Sequence, residues 1–313
     1  MAKQHCPLNS PRPCPARAIG AAWGPSRHPP SSLNRRQFQF QLAATLAAAT
    51  PFAQAEDPWT PIERASGGRL GVAVLRAGGR MDGHRLGEPF PLCSTFKWLA
   101  AAYVLYRVDR GQDRLDRRIR FGREALKPNS PVTARHVGGA GMTLAELCRA
   151  AITVSDNAAA NLILATFGGP QGLTSYARSM GDDATRLDRW EPALNEARPG
   201  DSRDTTTPRA MAQVLHEHLI GDALSADSRG QLAAWLRASQ TNGRRLRAGL
   251  PHGWRMGSKT GTGPRGATND VGIFWPPGKP PVVVAVYLTQ SKAEEAVRDG
   301  AVAQVARWVT TAG

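Results

Sequence analysis

Ser94-Thr95-Phe96-Lys97-Trp98-Leu99-Ala100-Ala101-Ala102-Tyr103-Val104-Leu105-Tyr106-Arg107-Val108 sets a hydroxyl and an amine one helical turn apart at the head of a segment that is apolar on nearly every face. Positions i and i+3 share a helix face, so Lys97 reaches Ser94 without help from tertiary structure. A helix that is apolar all round belongs in a core, and this one should stop before Gly111. A serine anchored there is rigid, but its hydroxyl is a poor nucleophile until a nearby base takes the proton. Ser-x-x-Lys on its own is a weak signal, since most instances lie on solvated helix surface.

The chain has 313 residues, 41% hydrophobic and 21% charged. That is a globular composition with enough length for a large core in one or two domains, neither disordered nor fibrous. Downstream of residue 55 no apolar run is long enough to span a membrane. Residues 1–55 read separately. Met1 to Ser32 is rich in Pro, Ser and Arg, Asn34-Arg35-Arg36-Gln37-Phe38 resembles a twin-arginine export motif, and Leu42 to Phe52 is a short, weakly apolar stretch. Ala53-Gln54-Ala55 then offers a small-x-small cleavage site, so 1–55 is expected to be an export signal region, with an exported, periplasmic product that starts at Glu56. The alternatives are an ordinary secretory leader, a disordered arm, or a wrongly assigned start codon upstream of a shorter leader.

Residues 1–55 hold six Lys/Arg and no Asp/Glu of a net +15, which leaves +9 for the remainder. That excess is mostly scattered Arg with no aromatic-interleaved stripe, the pattern of a solvated surface, so no nucleic-acid partner is expected. Cys6 and Cys14 leave with the leader; Cys93 and Cys148 stay, in an oxidising compartment if export holds.

Along the rest of the chain, Gly68 to Leu75 alternates between bounding glycines and reads as a strand, with a second near His84. From Pro91 to about Leu236 the pattern is helical. Thr143-x-x-Glu146 is a capping box that opens an apolar helix through Val154, and Ala158 to Phe167 is a further helix stopped by Gly168-Gly169-Pro170. Periodicity fails between Gly181 and Pro208, a long polar loop of the kind that is usually functional. Short β runs follow at Trp254–Thr260, Val271–Trp275 and Val282–Thr289, and Ala293 to Val309 closes as an amphipathic helix. Strands at both ends with helices between predict two lobes: an α/β lobe from 56–85 and 237–313, and an all-helical lobe, 86–236, inserted into it.

Four further groups strengthen the opening signal. Ser155-Asp156-Asn157 sits just past a helix end, where a hydroxyl and an amide can both face a cleft. Lys259-Thr260-Gly261 lies on a predicted strand, with Gly261 permitting close backbone approach. Glu191-Pro192-Ala193-Leu194-Asn195 falls inside the long loop, and Arg245 lies within Thr241 to Gly249. Each has a bland alternative (a cap, a solvated lysine, a surface acid or arginine), but their joint order after Ser-x-x-Lys is rare by chance.

With these motifs in place the chain resembles the class A serine β-lactamases, from about Gly68 to the C-terminus. The likeness is densest at Arg189-Trp190-Glu191-Pro192 and Asp204-Thr205-Thr206-Thr207-Pro208, which match the family's Ω-loop, here about 186–204. It implies an α+β fold of the serine β-lactamase and penicillin-binding-protein type: a five-stranded antiparallel sheet flanked by helices plus an all-helical lobe. It implies Ser94 as nucleophile, the backbone N–H groups of Ser94 and Thr262 as oxyanion donors, and Lys97 or Glu191 as acylation base, the latter through a water held with Asn195. Ser155 would pass a proton to the leaving nitrogen with Lys259 beside it, and Asn157 would hold the substrate's side-chain amide. Thr260, Thr262 and Arg245 would bind the substrate carboxylate, with Gly261 between them. Glu191 with Asn195 would activate the deacylating water, so the implied enzyme is a hydrolase of penicillins and some cephalosporins. A monomer acting on a small-molecule β-lactam, with no metal, cofactor or membrane partner, is what the likeness implies.

Departures from the family pattern mark where the site should differ. Thr268 stands where an arginine is frequent, with Arg245 as its expected substitute and Arg298 as the weaker candidate. Cys93 precedes the nucleophile as in members with a disulfide there, but the partner position is Gly263; the other family bridge would join Cys148 to Ala101. Two free thiols are therefore expected, with Cys93 buried and inert in preference to reactive. Asn129 replaces an aromatic flanking the cleft, Pro264-Arg265 an acidic–aromatic pair, and Ser258 an aspartate. Arg189 and Asp204 are expected to close the neck of the loop as an ion pair. The rival readings are a penicillin-binding DD-peptidase, which would lack Glu191-x-x-x-Asn195, a β-lactam sensor domain that stays acylated, and a basic polyanion-binding module.

Overall fold

Five strands from the two ends of the chain meet in one sheet. The computed structural model describes residues 57–311; the predicted leader, with Cys6 and Cys14, lies outside them. Strands β1 (Arg69–Leu75), β2 (Met81–His84), β3 (Arg255–Thr262), β4 (Thr268–Trp275) and β5 (Val282–Thr289) pair in the order β2-β1-β5-β4-β3, every neighbour antiparallel. Strand β5, Val282-Val283-Val284-Ala285-Val286-Tyr287-Leu288-Thr289, is buried throughout because it is central and covered on both faces. Its alternation divides the core. Val282, Val284, Val286 and Leu288 face a cluster with Trp59, Ile62, Val302, Val305 and Val309, whereas Val283, Ala285 and Tyr287 face the helical side.

The first cluster belongs to α1 (Trp59–Ser66) and α8 (Glu295–Thr311), which cover one face, with Trp59 and Trp308 ring centroids 4.4 Å apart. Helix α1 escaped the sequence reading, as its apolar residues only become a face once α8 is beside it. The other face carries the helices: α2 (Phe96–Asp109), α3 (Leu144–Thr153), α4 (Asn157–Ala165), α5 (Gly169–Ser179), α6 (Pro208–Leu219) and α7 (Ala226–Arg237). Helix α2 packs against α3, α4, α5 and α7 and buries Phe96 to Ala102, Val104 and Leu105, as its all-round apolarity requires. Helix α3 opens on the expected box: Thr143 Oγ1 accepts from Glu146 N and the Glu146 carboxylate from Thr143 N.

Helix α4 ends at Ala165, two residues short of the expected Phe167, with Thr166 as its C-cap, and Gly168-Gly169-Pro170 begins α5. Gly168 takes the left-handed conformation (φ 88°) as N-cap, and Pro170 sits in the first turn, where its missing N–H costs nothing. Strand β4 starts three residues before the expected Val271, because Thr268, Asn269 and Asp270 are buried within the sheet despite their polarity. No described helix is long and apolar enough to cross a membrane.

Candidate active site

Ser94 stands in a 3-10 turn, Cys93–Thr95, that runs directly into α2, and Cys93 adopts a left-handed φ of 44°. Conformations of that kind persist only where the surroundings enforce them. The enforcing neighbour is β3: a Cβ on Gly261 would sit 2.9 Å from Leu92 O and 3.2 Å from Cys93 Cβ. Gly261 is thus needed first for the packing of the Ser94 turn against the strand. Because β3 is an edge strand, its outer edge remains unpaired along the cleft.

The i, i+3 geometry holds: Lys97 Nζ lies 3.0 Å from Ser94 Oγ. The amine also meets Ser155 O at 2.9 Å, Ser155 Oγ at 3.2 Å, Asn157 Oδ1 at 2.5 Å and Glu191 Oε1 at 3.0 Å. An ammonium has three hydrogens for these five acceptors, and both Lys97 and Glu191 side chains are 0% exposed. Burial pushes the Lys97 amine below its ordinary value, against the pull of the Glu191 carboxylate. Ser94 Oγ is 3.4 Å from Glu191 Oε1, so one hydroxyl faces both candidate bases.

Ser155 reaches Lys97 through a left-handed backbone (φ 60°) at the break between α3 and α4. The break is held by Asp156, which the sequence reading passed over. It caps α4 through Ala159 N and accepts from Val132 N, Thr133 N and the Thr133 hydroxyl, all at about 2.9 Å. Asn157 is engaged at both ends, its Oδ1 by Lys97 and its Nδ2 by Pro128 O at 2.8 Å. Lys259, fully buried on β3, donates to Thr260 O at 2.7 Å, and no hydrogen bond joins it to Ser155, the neighbour expected for it. Burial, and then the charge of Lys97, lower its amine well below the ordinary value.

Glu191 is carried by the long polar loop. A second overlooked residue, Asn161, fixes it to α4: its Oδ1 accepts from Glu191 N and its Nδ2 donates to Glu191 O, each at 3.0 Å. Asn161 is the one polar side chain after the first turn of an otherwise apolar helix, and that was the available signal. Asn195 Nδ2 meets Glu191 Oε2 at 2.5 Å, while its buried Oδ1 has no donor among the described residues. The expected neck is present, with Arg189 Nε 2.6 Å from Asp204 Oδ2. Asp204 Oδ1 also accepts from Asp188 N and Arg189 N, and Asp188 Oδ2 accepts from Asp204 N, so the two strands of the neck clasp each other.

Arg245, 5% exposed, spends its guanidinium on Asp299 Oδ1 (2.8 Å), Gly261 O and Asn269 O (2.9 Å each) and Thr262 Oγ1 (2.7 Å). Thr260 Oγ1 pairs with Thr241 Oγ1 at 2.6 Å. Thr241, Arg245, Thr260 and Thr262 line a cleft of about 390 Å³ with Ser94, Asn129, Ser155, Asn157 and Asn195, and with Glu295, which the sequence did not single out. Arg298 does not line it but bonds Thr268 Oγ1 at 3.1 Å. Among the described residues no group of three or more His, Cys, Asp or Glu is arranged to hold a metal ion.

The "Beta-lactamase enzyme family" model matches residues 58–312. The chain is 46% identical over 252 residues to a β-lactamase of Streptomyces albus G, covering 79% of this chain and 80% of that one. It is 44% identical over 253 residues to the carbapenem-hydrolysing β-lactamase KPC of Klebsiella oxytoca, covering 80% and 86%. Among solved structures, an ancestral class A β-lactamase superposes with a TM-score of 0.80 at 60% identity, covering 81% of this chain and 98% of that chain. The chain belongs to the class A serine β-lactamases. As a member of that family it hydrolyses β-lactams through a serine. This β-lactamase keeps Cys93 and Cys148 as buried free thiols. Burial and then the nearby Glu191 push the Cys93 thiol up to about 12, which leaves little thiolate at neutral pH.

Proposed function

We propose that Ser94 attacks the lactam carbonyl of penicillins and some cephalosporins, and that Glu191 drives hydrolysis of the resulting ester. Lys97 and Glu191, 3.0 Å from each other and both within reach of Ser94 Oγ, supply the base that takes its proton. The backbone N–H groups of Ser94 and Thr262 receive the oxyanion. Ser155 delivers the proton to the departing nitrogen, through its contact with Lys97, and buried Lys259 lowers the cost of the charge that develops there. Arg245 Nη2 and the Thr262 and Thr260 hydroxyls take the substrate carboxylate, and Asn157 the side-chain amide. For deacylation, Asn195 Oδ1 has a lone pair to spare for a water whose proton Glu191 removes.

The observation that carries this reading is the placement of the Glu191 carboxylate beside both Lys97 and Ser94. A peptidase or sensor site has no need of a second buried base there. Intact-mass measurement on Glu191→Ala mixed with benzylpenicillin should show a persistent adduct on Ser94, and Ser94→Ala should show none. Sustained turnover by Glu191→Ala at the parent rate would refute the assignment.

Export follows the same reasoning from the leader: Arg35-Arg36, the apolar stretch to Phe52 and Ala53-Gln54-Ala55 support a twin-arginine route to the periplasm. The product is a monomer of two lobes, 56–85 with 237–313 and 86–236; the sheet strands fall in the first set and α2 to α7 in the second, α7 ending at Arg237. Replacing Arg35-Arg36 by Lys-Lys should leave unprocessed protein in the cytoplasm, and sedimentation should give the monomer mass.

A further inference from the structure

One charged group on the cleft has no part in the hydrolytic chemistry. Among the described residues, Lys97, Lys259 and Glu191 are buried at the site, and of the side chains that line its open part Arg245 is the one cation and Glu295, on the first turn of α8, the one carboxylate. The Glu295 side chain is 55% exposed, and its Oε1 lies 2.7 Å from Arg244 Nη2. Arg244 Nε in turn lies 3.1 Å from Asp299 Oδ2, and Asp299 Oδ1 lies 2.8 Å from Arg245 Nε. Glu295, Arg244, Asp299 and Arg245 therefore alternate in sign and sum to zero. The series ends at Arg245 Nη2, 2.7 Å from Thr262 Oγ1.

On the assignment above, Arg245 and Thr262 hold the carboxylate borne by the ring carbon next to the lactam nitrogen. In a cephalosporin the adjacent ring carbon bears the variable substituent, which therefore projects from the same side of the ring toward this end of the cleft. We propose that Glu295, held by Arg244, is a specificity-determining residue that favours β-lactams with a cationic substituent beside the ring carboxylate and disfavours those with a second anion there. The inference rests on the assignment of Arg245 and Thr262 to the ring carboxylate. Arg244 is 72% exposed, so water screens its hold on Glu295, and a substituent cation can take up the same carboxylate.

The test uses cephalosporins that share one acylamino side chain and carry a pyridiniummethyl, an acetoxymethyl or a carboxylate-bearing substituent at that ring carbon. A unit charge within one side chain's reach near the surface changes kcat/KM by about threefold to tenfold at low ionic strength. Glu295→Gln should lower the cationic-to-anionic ratio of kcat/KM by about tenfold, chiefly through KM, and the change should shrink as salt is raised. Arg244→Gln should move the same ratio the opposite way. Equal ratios in the parent and both variants, or a shift insensitive to salt, would overturn the proposal. Failure of the underlying site assignment shows differently: Arg245→Gln would leave KM for all three compounds unchanged, and the proposal would fall with it.

Discussion

Asp204→Asn tests whether the loop's neck, 13 residues from Glu191, governs the deacylating base. The carboxylate is 1% exposed and accepts three hydrogen bonds, two from backbone N–H groups on Oδ1 and one from Arg189 Nε on Oδ2. An asparagine oxygen can keep the first two. Its amide nitrogen would then face Arg189 Nε, donor against donor, and the charge-assisted bond is lost. Such a bond contributes about 1.5–3 kcal/mol. Arg189 keeps Glu196 at 2.8 Å and Asp201 at 3.8 Å, so its charge is not left bare and the larger penalty for an orphaned buried ion does not apply. The expected loss is about 2 kcal/mol, which for a domain of this size lowers Tm by roughly 4–8 °C. The functional expectation is a burst of benzylpenicillin hydrolysis followed by slowed turnover, with acyl-enzyme visible by quenched-flow mass spectrometry. If Tm falls as stated while the deacylation rate is unchanged, the neck is structural only and the reasoning fails.

Asn161→Ala removes both bonds to the Glu191 backbone at 3.0 Å; at about 1 kcal/mol each, deacylation should slow about tenfold or more. Slowed deacylation lowers kcat and KM together, and an unchanged kcat would count against Asn161 as a positioning residue. His218 is buried between Tyr176, whose hydroxyl is 2.6 Å from Nε2, and Val214 O, and burial pushes it down to about 4. Its folded-state value lies below the ordinary 6.5, so stability is full above about pH 6.5, falls by up to about 3 kcal/mol as pH drops to 4, and levels off below. Denaturant melts of His218→Gln against the parent should therefore converge between pH 7 and pH 4; a pH-independent gap would contradict this. A Cβ on Gly263 would lie 2.8 Å from Cys93 Sγ and 2.9 Å from Asn195 O. Gly263→Cys should form a disulfide with Cys93 on oxidation, but the Asn195 carbonyl has to move to admit the new Cβ, so the gain should fall below the ~2 kcal/mol usual for such a bridge; peptide mapping that finds Cys93 still free to alkylate would rule it out.

Contacts made by local geometry were legible in the sequence. Lys97 meets Ser94 because i and i+3 share a face, and Thr143 with Glu146 closes its box within one turn. The Arg189–Asp204 pair joins two ends of a loop already picked out by family likeness, and its 2.6 Å contact is present. What stayed hidden depends on partners distant in the chain. Asp156 gathers Val132 and Thr133 from more than twenty residues upstream, and Asn161 holds a peptide thirty residues downstream. Polar residues at these positions look like ordinary caps or surface groups until the fold buries them. Thr268-Asn269-Asp270 misled for the same reason: a polar run at the head of a strand reads as a turn, yet all three are fully buried.

Lys97 and Glu191 both face Ser94, and in this site they are not electrostatically independent. Their charged atoms are 3.0 Å apart with both side chains fully buried, and a second buried amine, Lys259, is close enough for Lys97 to lower it. Desolvation penalises each isolated charge, so the charged forms are tolerated only in pairs. Burial lowers the Lys97 amine, and the 3.0 Å contact gives its proton a short path to the neighbouring carboxylate. In the proposed mechanism the hydroxyl proton of Ser94, with acceptors at 3.0 Å and 3.4 Å, enters a shared system, and the two routes differ in path more than in the charge state reached. The same coupling separates the two half-reactions: once the ester forms, the remaining demand is for a carboxylate beside a water. On the proposed assignment that carboxylate is Glu191, held in place by Asn161 and the Arg189–Asp204 neck.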